Sequence, residues 1–166
     1  VCWNPEMYQT RGGAPFRSVS DDVVVNSAGE EIRLHGAVRR VWSLLFGLKA
    51  SGIQVAVASS SQKHKAKPLL SSFEVAPGVR MAKVVASHLF EMYYRKGQGK
   101  RPHLENILDK SGVPPDEVLF LDDNADNIAS VADLGIVAVQ VRKGLSEDAW
   151  AAALHTYRAE QGMEDP

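Results

Sequence analysis

The 166-residue chain is long enough for one domain with a sizeable core, and its 45% apolar and 23% charged residues are ordinary for a globular protein. A net charge of −1 removes the electrostatic reason to expect nucleic acid or an anionic membrane as partner. Cys2 is the only cysteine, which excludes an intramolecular disulfide and a cysteine cage for metal within one chain. No run approaches the ~18 apolar residues of a membrane span, and no basic-then-apolar leader pattern opens the chain. A reducing, cytoplasmic setting is therefore expected.

Residues 1–17 mix Pro5, Gly12, Gly13 and Pro15 with aromatics and read as loop. Two β-prone runs, residues 23–25 and 31–34, flank Asn26-Ser27-Ala28-Gly29 and predict a hairpin over 21–34. Val38, Val41, Trp42, Leu45 and Leu48 recur at helical spacing, so 37–50 should be a helix closed by Ser51-Gly52. A short buried strand over 53–58 follows and ends in Ser59, Ser60, Ser61 and Gln62. Next come an expected helix over 66–73, a strand near 83–86 and a loop over 95–101. A helix over 103–110 is stopped by Gly112 and Pro114. Val118-Leu119-Phe120-Leu121 is the clearest buried strand, and it runs directly into Asp122-Asp123-Asn124. A helix over 127–134, a strand over 136–141 and a helix over 146–157 capped by Ser146 complete the pattern.

This alternation predicts a single α/β domain over 1–166, with a doubly wound, mainly parallel sheet and helices on both faces. Ligands of such sheets sit beyond the carboxyl ends of the strands, so polar residues that follow a strand are the first candidates for chemistry. Asp122 and Asp123 repel each other unless a cation is near, which points to a hard divalent ion such as Mg²⁺ held by oxygen ligands. The ordinary alternative is a helix N-cap beside a solvated acid. Ser59 and Ser60 lie at a strand-to-helix junction, where hydroxyls and free N–H groups can cradle phosphate or simply cap the next helix. Lys100 follows Gly97-Gln98-Gly99 in a loop, and by itself such a lysine is ordinary surface.

The order serine, lysine, Asp-Asp is more telling than any one member. Val57-Ala58-Ser59, Gly99-Lys100 leading to Lys110-Ser111-Gly112-Val113-Pro114, and Phe120-Leu121-Asp122-Asp123-Asn124-Ala125-Asp126-Asn127-Ile128 together resemble the haloacid dehalogenase superfamily. The resemblance is to its eukaryotic magnesium-dependent phosphatases with a minimal cap, and it covers nearly the whole chain. It implies a Rossmann-like core with the 21–34 hairpin as cap, and Mg²⁺-dependent hydrolysis of a phosphomonoester through an aspartyl-phosphate. The substrate would be a phosphorylated small molecule or a phosphoprotein side chain. Ser59, with Ser60 and Lys100, would bind the phosphoryl group, Lys100 would also neutralise charge and orient the nucleophile, Asp122 and Asp123 would hold Mg²⁺, and Asn127 would support them.

The resemblance also implies an Asp-x-Asp signature carrying nucleophile and acid/base, with Val1 near its final position. That segment and its central strand are expected just upstream of Val1. Ser60 departs from the pattern, which has an arginine there to help fix an anionic substrate; Lys63 and Lys65 are the nearby cations that could replace it. Two competing readings follow. A phosphorylatable receiver domain uses similar residues, but there the acidic pair precedes the lysine. A catalytically inactive binding module would keep fold and metal site without the nucleophile.

Overall fold

A computed structural model describes residues 1–61 and 63–163. Its first body is an antiparallel sheet of β1 (Trp3–Asn4), β2 (Arg17–Ser20), β3 (Val23–Val25) and β4 (Glu31–Leu34), in the order β1-β4-β3-β2. The hairpin expected over 21–34 is present as β3 and β4, with Val24 opposite Ile32 and Val25 opposite Glu31. Alternation sets its faces: Ile32 and Leu34 are buried while Glu31 and Arg33 face water. Its turn is built by Asn26, whose Oδ1 accepts from Ala28 N at 3.0 Å and Glu30 N at 2.9 Å. The segment read as loop also holds β1, because Trp3 and Asn4 pair with Leu34 and Arg33.

Helix α1 (Val38–Leu48) buries Val38, Val41 and Trp42 and packs Leu45 against the core, as its helical spacing predicts, whereas Leu48 at its end is exposed. The strand expected over 53–58 is narrower and later: β5 is Val57–Ser59, ordered where β8 (Phe90–Met92) runs beside it in parallel. Between them lie α2 (Lys63–Leu70), the hairpin β6 (Glu74–Ala76) and β7 (Val79–Arg80), and α3 (Met81–Val84). The strand expected near 83–86 is therefore partly helix. Met81 and Val84 are both buried, three residues apart on one face, and so short an apolar run fits either period.

The second half follows the sequence more closely. α4 (Arg101–Ser111) ends at Gly112, which takes φ +68° and donates to Leu108 O. β9 (Leu119–Asp122) pairs in parallel with β10 (Val137–Gln140), with α5 (Ala125–Ala129) between them and α6 (Glu147–Glu160) after. α5 starts before the expected residue 127 because Asn124 caps it, accepting from Asp126 N at 2.8 Å. Parallel pairing among the described residues is confined to β5–β8 and β9–β10, and the largest sheet is antiparallel rather than parallel. The result is a mixed α/β fold.

The larger core joins the antiparallel sheet, α1, α2 and α3 through Ile32, Val41, Leu69, Phe73 and Met81. A smaller core of Leu104, Phe120, Val131 and Ile136 also receives Ala58, so β5, β9 and α4 share one apolar support. Among the described residues no helix is long and apolar enough to cross a membrane.

Glu30 fastens the 1–17 segment to the hairpin by accepting from Asn26 Nδ2 at 2.9 Å, Gly12 N at 3.0 Å and Arg11 N at 2.9 Å. These bonds, the one from Asn26 first, hold its carboxyl down at about 2. Because the folded value lies below the unfolded one, its contribution to stability is present above about pH 4.5 and is lost as pH falls towards 2. Glu30→Gln should flatten that part of the acid-stability curve, as followed by denaturant unfolding at several pH values; an unchanged curve would contradict this assignment.

Candidate active site

The carboxyl ends of β5 and β9 and the start of α4 bring the expected residues together. Asp122 closes β9 and is only 6% exposed. Its Oδ1 accepts from Asn124 N and from Asn127 Nδ2, both at 2.9 Å, while Oδ2 accepts no hydrogen bond among the described residues. Asp123 is exposed, and its Oδ1 lies 3.5 Å from the backbone nitrogen of Val1. One carboxylate is thus held rigidly with a free oxygen, and its neighbour reaches out into solvent.

Lys100 is 4% exposed, which is rare for a lysine without partners. Its Nζ donates to Ser60 Oγ at 2.9 Å. Burial pushes its pKa below the ordinary lysine value, and the negative charges of Asp122, Asp123 and Glu6 pull it back up. The two serines of the β5 turn play different parts. Ser59 Oγ accepts from Ser61 N at 3.1 Å, so it shapes the turn after β5, while Ser60 receives the ammonium. Lys63 and Lys65 are exposed on α2 and make no hydrogen bond or ion pair with these groups among the described residues.

A second set of bonds joins the lysine loop to the acidic pair. Lys100 N donates to Ser130 Oγ at 3.1 Å, and Ser130 Oγ donates to Asn127 O at 2.7 Å. Asn127 in turn holds Asp122, so the backbone at Lys100 and the carboxylate of Asp122 are tied through one short helix. No motif marks Ser130; its only sequence signal is its position three residues after Asn127, on the same helical face. Glu6 also lay outside every motif. Burial raises its carboxyl above the usual range, Asp123 and Asp122 add to the rise, and Lys100 opposes it.

Among the described residues no cluster of three or more His, Cys, Asp or Glu side chains is arranged to hold a metal. Mg²⁺ does not require one: it is commonly bound by one or two carboxylates, with waters and phosphate completing the shell. The free Oδ2 of Asp122 and the exposed carboxylate of Asp123 fit that hard-oxygen chemistry.

Gly99 makes the approach of the lysine loop possible. It has φ +54°, and a Cβ there would lie 2.6 Å from Ser130 Oγ. Gly99→Ala should destabilise the protein by roughly 1–3 kcal/mol through the left-handed backbone alone. It should also break the Lys100–Ser130 bond. Urea unfolding of the purified variant measures the first effect, and a stability equal to wild type would contradict it.

A family model described as Acid Phosphatase matches residues 1–160, a span that contains Ser59, Ser60, Lys100, Asp122, Asp123 and Asn127. The chain is also 26% identical over 160 residues to Magnesium-dependent phosphatase 1 of Homo sapiens, an alignment covering 95% of this chain and 82% of that protein. The match runs through all the described sheets and both cores rather than one motif, and the chain accordingly belongs to the Acid Phosphatase family, in keeping with its haloacid dehalogenase-like motifs.

Proposed function

We propose that this protein is a Mg²⁺-dependent phosphomonoester hydrolase whose reaction passes through an aspartyl-phosphate. The observation that carries the reading is the convergence of a buried, compensated lysine, a hydroxyl turn and two carboxylates at the ends of β5 and β9. The family match and the name of the human relative support the same chemistry. The core is read as a doubly wound α/β sheet, with the β3–β4 hairpin as a small cap that leaves the site open. A phosphorylated metabolite or a phosphorylated protein side chain fits such an opening.

In this reading an aspartate preceding Val1 attacks phosphorus while the ester P–O bond breaks, and the leaving alcohol takes a proton from a second aspartate two residues later. That second carboxylate then draws a proton from water, which attacks the phosphoryl group, frees phosphate and regenerates the nucleophile. Two observations support placing this segment next to Val1. The Val1 nitrogen lies beside Asp123, and β5 and β9 are each hydrogen-bonded to a strand on one side only among the described residues. A strand between them would carry its carboxyl end to Lys100 and Asp122.

Asp122 and Asp123 would hold Mg²⁺, which supplies positive charge to the phosphoryl oxygens. Asn127 keeps Asp122 oriented by donating to Oδ1, leaving Oδ2 for the ion. Lys100 adds a fixed positive charge where negative charge grows, in a position shielded from water, so its attraction is weakly screened. Ser59 and Ser60 offer the turn on which the phosphoryl oxygens rest.

On the full-length protein, hydrolysis of an aryl phosphate should require Mg²⁺ and disappear in Asp122→Ala/Asp123→Ala. Lys100→Ala should lower kcat by about 10²–10³-fold, the usual effect of removing one preorganised charge-stabilising donor. Metal-independent turnover, or a Lys100→Ala enzyme with wild-type kcat, would overturn the reading.

A further inference from the structure

His103 lies in α4, three residues after Lys100, and is 0% exposed. Its Nε2 is 2.8 Å from Tyr93 O and 3.1 Å from Ser59 O. Both partners are carbonyl acceptors, so Nε2 carries the hydrogen and donates to both. Nδ1 is then bare, and it is buried without a partner among the described residues. Burial holds the imidazole pKa below its ordinary value, which keeps the ring neutral and this donor pattern fixed. The ring stacks on Tyr93, with centroids 4.1 Å apart and planes 12° from parallel. Tyr93 is itself held, its hydroxyl accepting from Asn106 Nδ2 at 3.1 Å.

Packing alone does not account for this residue. An apolar side chain of similar volume would fill the space and stack on Tyr93 without leaving a bare nitrogen in the interior. What the imidazole adds is one N–H, shared by the carbonyls at the ends of β5 and β8. Ser59 O also accepts from Tyr93 N at 3.0 Å, so both lone-pair directions of that oxygen are taken. The peptide unit is planar and trans, so fixing Ser59 O towards α4 and β8 fixes the N–H of Ser60 pointing the opposite way. That N–H has no acceptor among the described residues, and it belongs to the residue whose hydroxyl meets Lys100.

We propose that His103 is a positioning residue for phosphate recognition: by pinning the Ser59 carbonyl it aims the Ser60 amide and the Ser59–Ser60–Ser61 turn at the phosphoryl group. The inference rests on the phosphate-binding reading of Ser59 and Ser60 given above. It separates two halves of the site. His103 governs the β5 turn, whereas Asp122 closes β9 and is oriented by Asn124 and Asn127.

The test uses the full-length protein with two variants of opposite character, His103→Phe, which keeps a ring against Tyr93 and loses the donor, and His103→Gln, which keeps a donor and loses the ring. Calorimetric titration with inorganic phosphate in the presence of Mg²⁺, and with Mg²⁺ alone, reads the two halves separately. His103→Phe should weaken phosphate about tenfold with Mg²⁺ affinity unchanged, and His103→Gln should stay within about threefold of wild type for both. His103→Leu replaces the phenylalanine variant if that one does not fold. Loss in His103→Gln with none in the apolar variants, or equal loss of phosphate and Mg²⁺ affinity, overturns the inference and leaves a packing role. Ser59→Ala is the parallel control. Unchanged phosphate affinity there refutes the phosphate-site reading and this inference with it; normal loss there, with none in His103→Phe, refutes this inference alone.

Discussion

A lysine ammonium held at 4% exposure has lost most of its water, and the rest of the site is arranged to offset that. Removing an ammonium from water costs several kcal/mol even after relaxation, unless opposite charge and hydrogen bonds replace the solvent. Here the replacement comes from three directions: the hydroxyl of Ser60, the carboxylates of Asp122 and Asp123, and the carboxylate of Glu6. Each sits on a different element. The burial of Lys100 therefore couples the ends of β5 and β9 to the start of α4 and to the segment after Val1. The backbone tie through Ser130 and Asn127 makes this coupling rigid rather than merely electrostatic.

The same arrangement separates two kinds of carboxylate. Asp122 is buried and saturated on one oxygen, which leaves its other oxygen pre-aimed; Asp123 is exposed, with its Oδ1 3.5 Å from the Val1 nitrogen. Glu6 stands nearby, its carboxyl pushed above the ordinary range by burial first and by the acidic pair after it. A divalent cation between Asp122 and Asp123 relieves the repulsion that the pair would otherwise carry, and it adds to Lys100 the second positive charge that a phosphoryl group demands. The apolar floor beneath them, Ala58 with Phe120 and Leu104, keeps the two strand ends at a fixed separation.

The parts of this that could be read from sequence were those with a local cause. Phe120-Leu121-Asp122-Asp123 announces a buried strand ending in acid, and α4 announces its end at Gly112. The helical spacing of Val38, Val41 and Trp42 showed which face of α1 turns inward. Residues 83–86 could not be read the same way, because four apolar-rich residues satisfy helix and strand periods alike and only packing of Met81 and Val84 decides. β8 went unread for a related reason: Phe90–Met92 is ordered by pairing with β5, more than thirty positions away. In the site, Ser59, Lys100 and Asp122 lie in motifs. Glu6 and His103 act through tertiary contacts that no spacing encodes, and Ser130 shows only its place three residues after Asn127. That Lys100 meets the hydroxyl of Ser60 likewise depends on which hydroxyl the turn presents.

The central claim is that metal carboxylates and phosphate turn form one binding unit, and linkage tests it most directly. Mg²⁺ affinity should be titrated calorimetrically on the full-length protein with and without inorganic phosphate, in wild type and in Asp122→Asn. The account predicts that phosphate tightens Mg²⁺ binding, that Mg²⁺ tightens phosphate by the same factor, and that the coupling vanishes in Asp122→Asn. Mg²⁺ and phosphate binding independently in the wild type would contradict it.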